Sequence, residues 1–153
     1  MKILFQSLVV IFILTACTAD NKSAIHQNST TSTVLVGKGD LYGNGQEGIP
    51  PQYSVITSEN QWETLKNQMN SVNPVTDGFT ETQFDFAESI LIAVFDEVRE
   101  NGGHSIDITD VDENSDIVHI TVTKLLNGNM TAVMTQPYHI IRIPATDKEI
   151  IFN

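Results

Sequence analysis

Ile90-Leu91-Ile92-Ala93-Val94-Phe95 is an unbroken apolar run, closed by Asp96. A strand with one face in water alternates apolar and polar side chains. This run does not, so it is expected to lie buried on both faces. The stretches downstream alternate instead. Over 104–110, Ile106 and Ile108 are separated by polar residues. Over 117–124, Val118, Ile120 and Val122 fall on one face and His119, Thr121 and Thr123 on the other. Both read as half-buried strands. "DVDENSD" at 110–116 has the composition of a hairpin loop, and Asn127-Gly128-Asn129 is a strong turn signal. Further extended segments are expected at 130–135 and 138–143, separated by Gln136-Pro137. Proline cannot donate to a sheet ladder, so it marks a bulge, a bend or an edge. A last short strand is expected at 150–152.

Upstream the period changes. Residues 53–57 read as a strand, and then Trp62, Leu65, Met69 and Val72 recur at helical spacing. Ser58 stands at the N-cap with Gln61 three residues on, a capping-box pattern. The expected helix spans 59–70, with Gln61, Glu63, Lys66 and Asn67 facing water. Residues 74–89 form a connector that Phe84 and Phe86 pin to the core. Residues 37–51 hold five of the nine glycines. No Gly-Lys-Ser/Thr closes them as a P-loop, and the oxygen-ligand spacing of an EF-hand is missing. They read as an irregular lead-in after a short strand at 34–36. The expected fold class is α+β: mainly antiparallel β-sheet of short strands, meander- or sandwich-like, with one packed N-terminal helix.

The first sixteen residues read as an export signal. Lys2 supplies the positive start, and 3–14 is apolar but shorter than the ~20 residues a spanning helix needs. Leu14-Thr15-Ala16-Cys17 resembles a bacterial lipobox, with Cys17 the only cysteine of the chain. The expected organisation is a signal peptide at 1–16, a lipidated Cys17 with a flexible tether at 17–36, and one globular domain at 37–153. Residues 18–33 are polar, too poor in apolar groups to order themselves. Acyl chains gain ~0.8 kcal/mol per buried methylene, so two or three would hold the protein on a membrane. Thr18, not Asp, follows the cysteine, which favours the outer membrane in a cell that has one. Beyond Lys2, 19 acidic residues face seven basic ones, a net charge of −12. Nucleic acid is therefore not an expected partner.

The search for chemistry finds no constellation. There is no Gly-x-Ser-x-Gly elbow, and Ser105 beside His104 on a strand would point to the opposite face. His26, His104, His119 and His139 lack metal-ligand spacing. Asp110, Asp112, Glu113 and Asp116 crowd one loop, where Ca²⁺ competes with the simpler reading of a polar hairpin tip. No cofactor and no catalytic residue is expected.

The second half is similar to the C-terminal domain of the protease complex subunit PrcB family. The residues that carry the resemblance are "FDFAESILIAVF" (84–95), "NGGHSIDI" (101–108), "IVHITVTKL" (117–125) and "TQPYHIIRIP" (135–144), with "SENQWETL" (58–65) upstream. His104 stands where the family usually has an aromatic residue. The resemblance implies a non-catalytic, membrane-anchored lipoprotein that associates with a secreted protease complex and supports its formation or stability.

A contact rim follows if 89–95, 104–110 and 117–125 form a meander. The two intervening loops then lie at one end and present Arg99, Asn101, Gly102, Gly103, His104, Asn127, Gly128 and Asn129. The expected function is a protein-binding or assembly module for an exported protein such as a protease. Its competitors are a direct protease inhibitor that uses the same loops as a wedge, and a metal- or ligand-binding envelope protein.

Overall fold

The computed structural model describes residues 29–125 and 127–153. Cys17, the expected export signal, His26 and Leu126 lie outside these residues. Eight strands form two four-stranded sheets: β1 Ser29–Thr30, β2 Val34–Leu41, β3 Gln52–Ile56, β4 Ser89–Phe95, β5 Ser105–Glu113, β6 Ile117–Leu125, β7 Gln136–Pro144 and β8 Glu149–Phe152. One sheet has the order β2-β7-β4-β3 and the other β1-β5-β6-β8. All pairings are antiparallel except β6 with β8. The helix α1, Glu59–Met69, and a 3-10 turn at Val75–Gly78 lie between β3 and β4. Among the described residues the fold is α+β, mainly antiparallel sheet with a single α-helix.

The apolar run is the middle of this arrangement. Every residue of β4 is buried. Leu91, Ala93 and Phe95 pack into a cluster with Trp62, Leu65 and Met69 of α1. Ile90 and Ile92 pack into a second cluster with Val111, Val118 and Ile120 of the other sheet. β4 is thus covered by helix on one face and sheet on the other, which is why its sequence has no polar period. Each large side chain buried this way contributes about 1.5–3 kcal/mol.

α1 begins where its cap predicts. The Ser58 hydroxyl accepts the Gln61 N–H at 3.5 Å, while Gln61 Oε1 accepts the N–H of Thr57 at 2.8 Å. The reciprocal bond therefore reaches one residue further back than a standard capping box. Trp62 is fully buried, donates Nε1–H to Thr82 O at 3.0 Å and meets Phe84 edge-on at 5.4 Å. Phe84 and Phe86 hold the connector to the core as expected. Val72 lies beyond the helix and is exposed.

Several expectations are corrected. β4 and β5 belong to different sheets, so the three segments do not form a meander. The short strand at 34–36 extends to Leu41, where the irregular lead-in was expected. Gly37 in its middle is required by close approach, because the Phe79 ring occupies the space of a side chain there. Ser29 and Thr30, read as tether, pair with Glu113 and Asp112. β5 continues through Asp110–Glu113, and the turn shrinks to 114–116. Residues 130–134 are not a strand, and Thr135 makes only an isolated bridge to Arg99. Pro137, finally, lies inside β7, between β2 and β4. The Asp96 N–H donates to Pro137 O at 2.9 Å, and the return bond that proline cannot make is replaced by Gln136 Nε2, which donates to Asp96 O at 3.0 Å.

Candidate partner-binding pole

β4, β6 and β2 end, and β5, β7 and β3 begin, at one pole of the molecule. The loops 96–104 and 127–135 meet there despite the different topology, because each crosses between the two sheets at the same end. Their base is an ion cluster. Asp96 is fully buried. It accepts from Arg99 Nε at 3.0 Å and Nη2 at 2.7 Å, and Lys124 Nζ lies 2.7 Å from its other oxygen. Burial pushes the Asp96 carboxyl up, but hydrogen bonds from Lys124 and Arg99 outweigh it and hold the group below the usual carboxylate range. Arg99 also pairs with Glu97 at 2.7 Å.

Above this base the two glycine turns interlock. Asn129 N–H donates to Gly102 O at 2.8 Å, and Asn101 Nδ2 donates to Asn129 O at 2.8 Å. His104 Nε2 lies 2.8 Å from Asn101 Oδ1, and the Thr135 hydroxyl donates to Asn101 O at 3.1 Å. Gly103 has φ +82°, and a Cβ on it would come within 2.9 Å of the Gly128 carbonyl carbon. Gly128 has φ +57°, and its Cβ would come within 2.8 Å of Asn101 Nδ2. Both positions need glycine twice over, for backbone conformation and for room.

All eight expected rim residues therefore gather at this pole, though in a different role for some. Arg99 is spent on Asp96 and Glu97, Gly102 is buried, and Asn101 and His104 are spent on the interlock. What faces solvent is the segment that follows. Met130 is fully exposed, and Val133 and Met134 are exposed beside it. Asn129 Oδ1 accepts the Thr131 N–H at 2.9 Å and its hydroxyl, which turns the chain outward. Tyr42 at the end of β2, Tyr53 in β3 and Leu125 at the end of β6 complete the surface. Among the described residues, six of the nine exposed large hydrophobics lie at this pole. A signal for it was present in the sequence: from Leu125 to Ile141 the chain has no Asp, Glu, Lys or Arg.

The opposite pole is acidic. Asp112, Glu113, Asp116, Asp147 and Glu149 gather where β1 brings the chain into the domain. Glu113 pairs with Lys148, and Asp116 accepts from the Ser115 hydroxyl. Asp112 shares a hydrogen bond with Asp110, which raises its pKa. Among the described residues no group of three or more His, Cys, Asp or Glu is placed to hold a metal ion. The three described histidines are dispersed: His104 on Asn101, His119 beside Asn153, and His139 accepting the Ile108 N–H at 2.9 Å.

Residues 90–144 match the family model described as PrcB C-terminal. This stretch is similar to the PrcB C-terminal family. The match runs from the second residue of β4 to the last of β7, so it contains both interlocked loops and the exposed Met130 segment. Around the matched stretch, β2, β3 and α1 before it and β8 after it complete the two sheets and their helix. No curated protein and no solved structure matches the chain.

Proposed function

We propose that this protein is a non-catalytic accessory subunit of an exported protease complex, held on a membrane by lipid at Cys17, and that it docks its partner through the apolar pole. The family match supports association with a protease complex. The observation that carries the docking surface is the clustering of exposed apolar side chains at the pole opposite β1. From Asp112, the partner of Thr30, to Ser105 is seven strand steps, about 23 Å at ~3.3 Å each. A chain anchored through its N-terminal side thus enters the domain at the acidic end and leaves the apolar end the farther from its point of entry. Thr18 after the cysteine favours the outer membrane where there is one.

Co-purification from detergent-solubilised membranes tests this. The tagged full chain should bring down a protease subunit, the double variant Met130→Glu/Val133→Glu should lose it, and Cys17→Ala should release the protein from membranes. Wild-type chain recovered without a reproducible partner would overturn the reading. Inhibition of a protease by the purified chain alone would replace it with the wedge-inhibitor reading.

A further inference from the structure

Two sheets have four edges; two of them are closed to another strand, and a third is short and opens on a charge. On β2, Thr80 N–H donates to Val36 O at 3.0 Å and the Thr80 hydroxyl donates to Leu35 O. On β5, β1 covers Asp112 and Glu113, a register shift interrupts the strand between Ile108 and Asp110, and the Ile108 N–H is taken by His139. β8 has four residues and opens on Glu149. Short, bulged, charged or covered edges are how sheets avoid unwanted pairing. β3 is different. Its backbone bonds to β4 on one side, and the other side has no partner among the described residues. It carries no charge, no bulge and no proline within its five residues. Strand geometry turns alternate residues outward, so at least two of them present a free N–H and C=O.

That open edge runs beside α1 with a groove of about 290 Å³ between them. Gln52, Ser54 and Ile56 line it from the strand, and Thr64, Leu65 and Gln68 from the helix. None of its lining residues is charged, in a chain of net charge −11. Ile56 and Leu65 make an apolar floor, and amides and hydroxyls make the walls. An edge strand beside a helix groove is suited to strand addition: backbone bonds give affinity, and pockets for every second side chain give selectivity.

We infer that β3 receives an extended, uncharged segment of a partner polypeptide as a fifth strand, with alternate side chains seated against Ile56 and Leu65. A segment with charged side chains facing the groove would lose their hydration there without an ion partner. The strand β3 begins at the apolar pole, where Tyr53 lies, but the inference rests on the free edge and the groove and not on that pole.

The test uses a displayed library of twelve-residue peptides built from uncharged residues, panned against the full chain in detergent. A selected peptide is then synthesised with single N-methyl groups at each amide in turn. Strand addition predicts that methylation weakens binding at least tenfold at every second residue and little between. It also predicts that Thr64→Arg, on the exposed wall of the groove, weakens binding at least tenfold while leaving the melting temperature within a few degrees of wild type. Methylation effects without that alternation would overturn the inference. So would failure to select any peptide sensitive to Thr64→Arg. A concentration-dependent dimer abolished by Thr64→Arg would assign the edge to a second copy instead and overturn the partner-segment reading.

Discussion

The interlocked turns and the segment 130–134 are neighbours in the chain, yet they are built on opposite terms. In the interlock, Asn101, Gly102, His104 and Asn129 are tied together by hydrogen bonds, and two glycines sit where a Cβ has no room. In the segment that follows, Met130 is fully exposed, and Val133 and Met134 keep 43% and 38% of their surface in water. The first is frame and the second is surface. Residues that look most unusual in the sequence hold the loop, and residues that look ordinary are the ones left free for a partner.

The comparison breaks first if the interlock tolerates a side chain. Gly103→Val must place a branched residue at φ +82° and against the Gly128 carbonyl carbon. Backbone strain alone costs about 1–3 kcal/mol, and the clash adds to it, so a loss of about 3 kcal/mol is expected in denaturant unfolding. A loss below 1 kcal/mol would show that the two turns are not locked.

Asp96→Asn attacks the base of the same frame. It removes the negative charge and leaves Arg99 and Lys124 facing a neutral group. Breaking one partner of a buried pair costs about 3–5 kcal/mol. Here Arg99 and Lys124 keep side-chain exposures of 18% and 36%, and water relieves part of the loss. About 2 kcal/mol is expected at pH 7. The sign with pH follows from the direction of the shift. The folded carboxyl sits below its unfolded value of about 3.9, so its contribution is full above that pH and is lost as pH falls through the folded value. Acid titrations of stability should therefore converge for the two proteins below pH 4, and parallel curves would remove Asp96 from the account.

How much of this frame could be read in advance differs by residue. β4, β6 and α1 declare themselves, because burial on two faces, on one face and along one helical stripe each leaves its own period. Periodicity reports faces, though, and not neighbours. Nothing in Ile90–Phe95 or His104–Ile108 says that the chain changes sheets between them. Asp110–Glu113 hides a strand because three of its four residues are acidic and only Val111 is buried. Residues 130–135 mislead in the other direction: apolar side chains suggest a strand, but Arg99 gives them a bridge only at Thr135. The eight rim residues were expected together on the premise of a meander; they share a pole for another reason, that both loops cross between the sheets at one end. The charge-free run from Leu125 to Ile141 marks the neighbouring surface, but not which of its side chains turn outward.

His104→Tyr sharpens the boundary between frame and surface. The ring nitrogen of His104 holds Asn101, and Gly128 lies against the same ring. Tyrosine keeps a flat ring and moves its polar atom outward, so it exchanges one hydrogen bond for more apolar contact. The expected change is below about 1 kcal/mol, the worth of one net hydrogen bond. A loss as large as that of Gly103→Val would make His104 part of the lock.

The smallest effect on stability is expected at the crest, and there the comparison is sharpest. Met130 has no burial to lose, so Met130→Glu should stay within about 0.5 kcal/mol of wild type, and Val133, 43% exposed, should lose less than about 1 kcal/mol as Val133→Glu. Their effect on binding should run the other way. Methionine adapts its shape to a partner's surface, and a carboxylate placed in a desolvated contact has no partner of its own. Thermal melts and co-purification on the same preparations separate the two readouts. Loss of partner with an unchanged melt assigns the crest to recognition. Loss of both would mean that the segment 130–134 belongs to the frame after all, and the division between the two neighbours would fall.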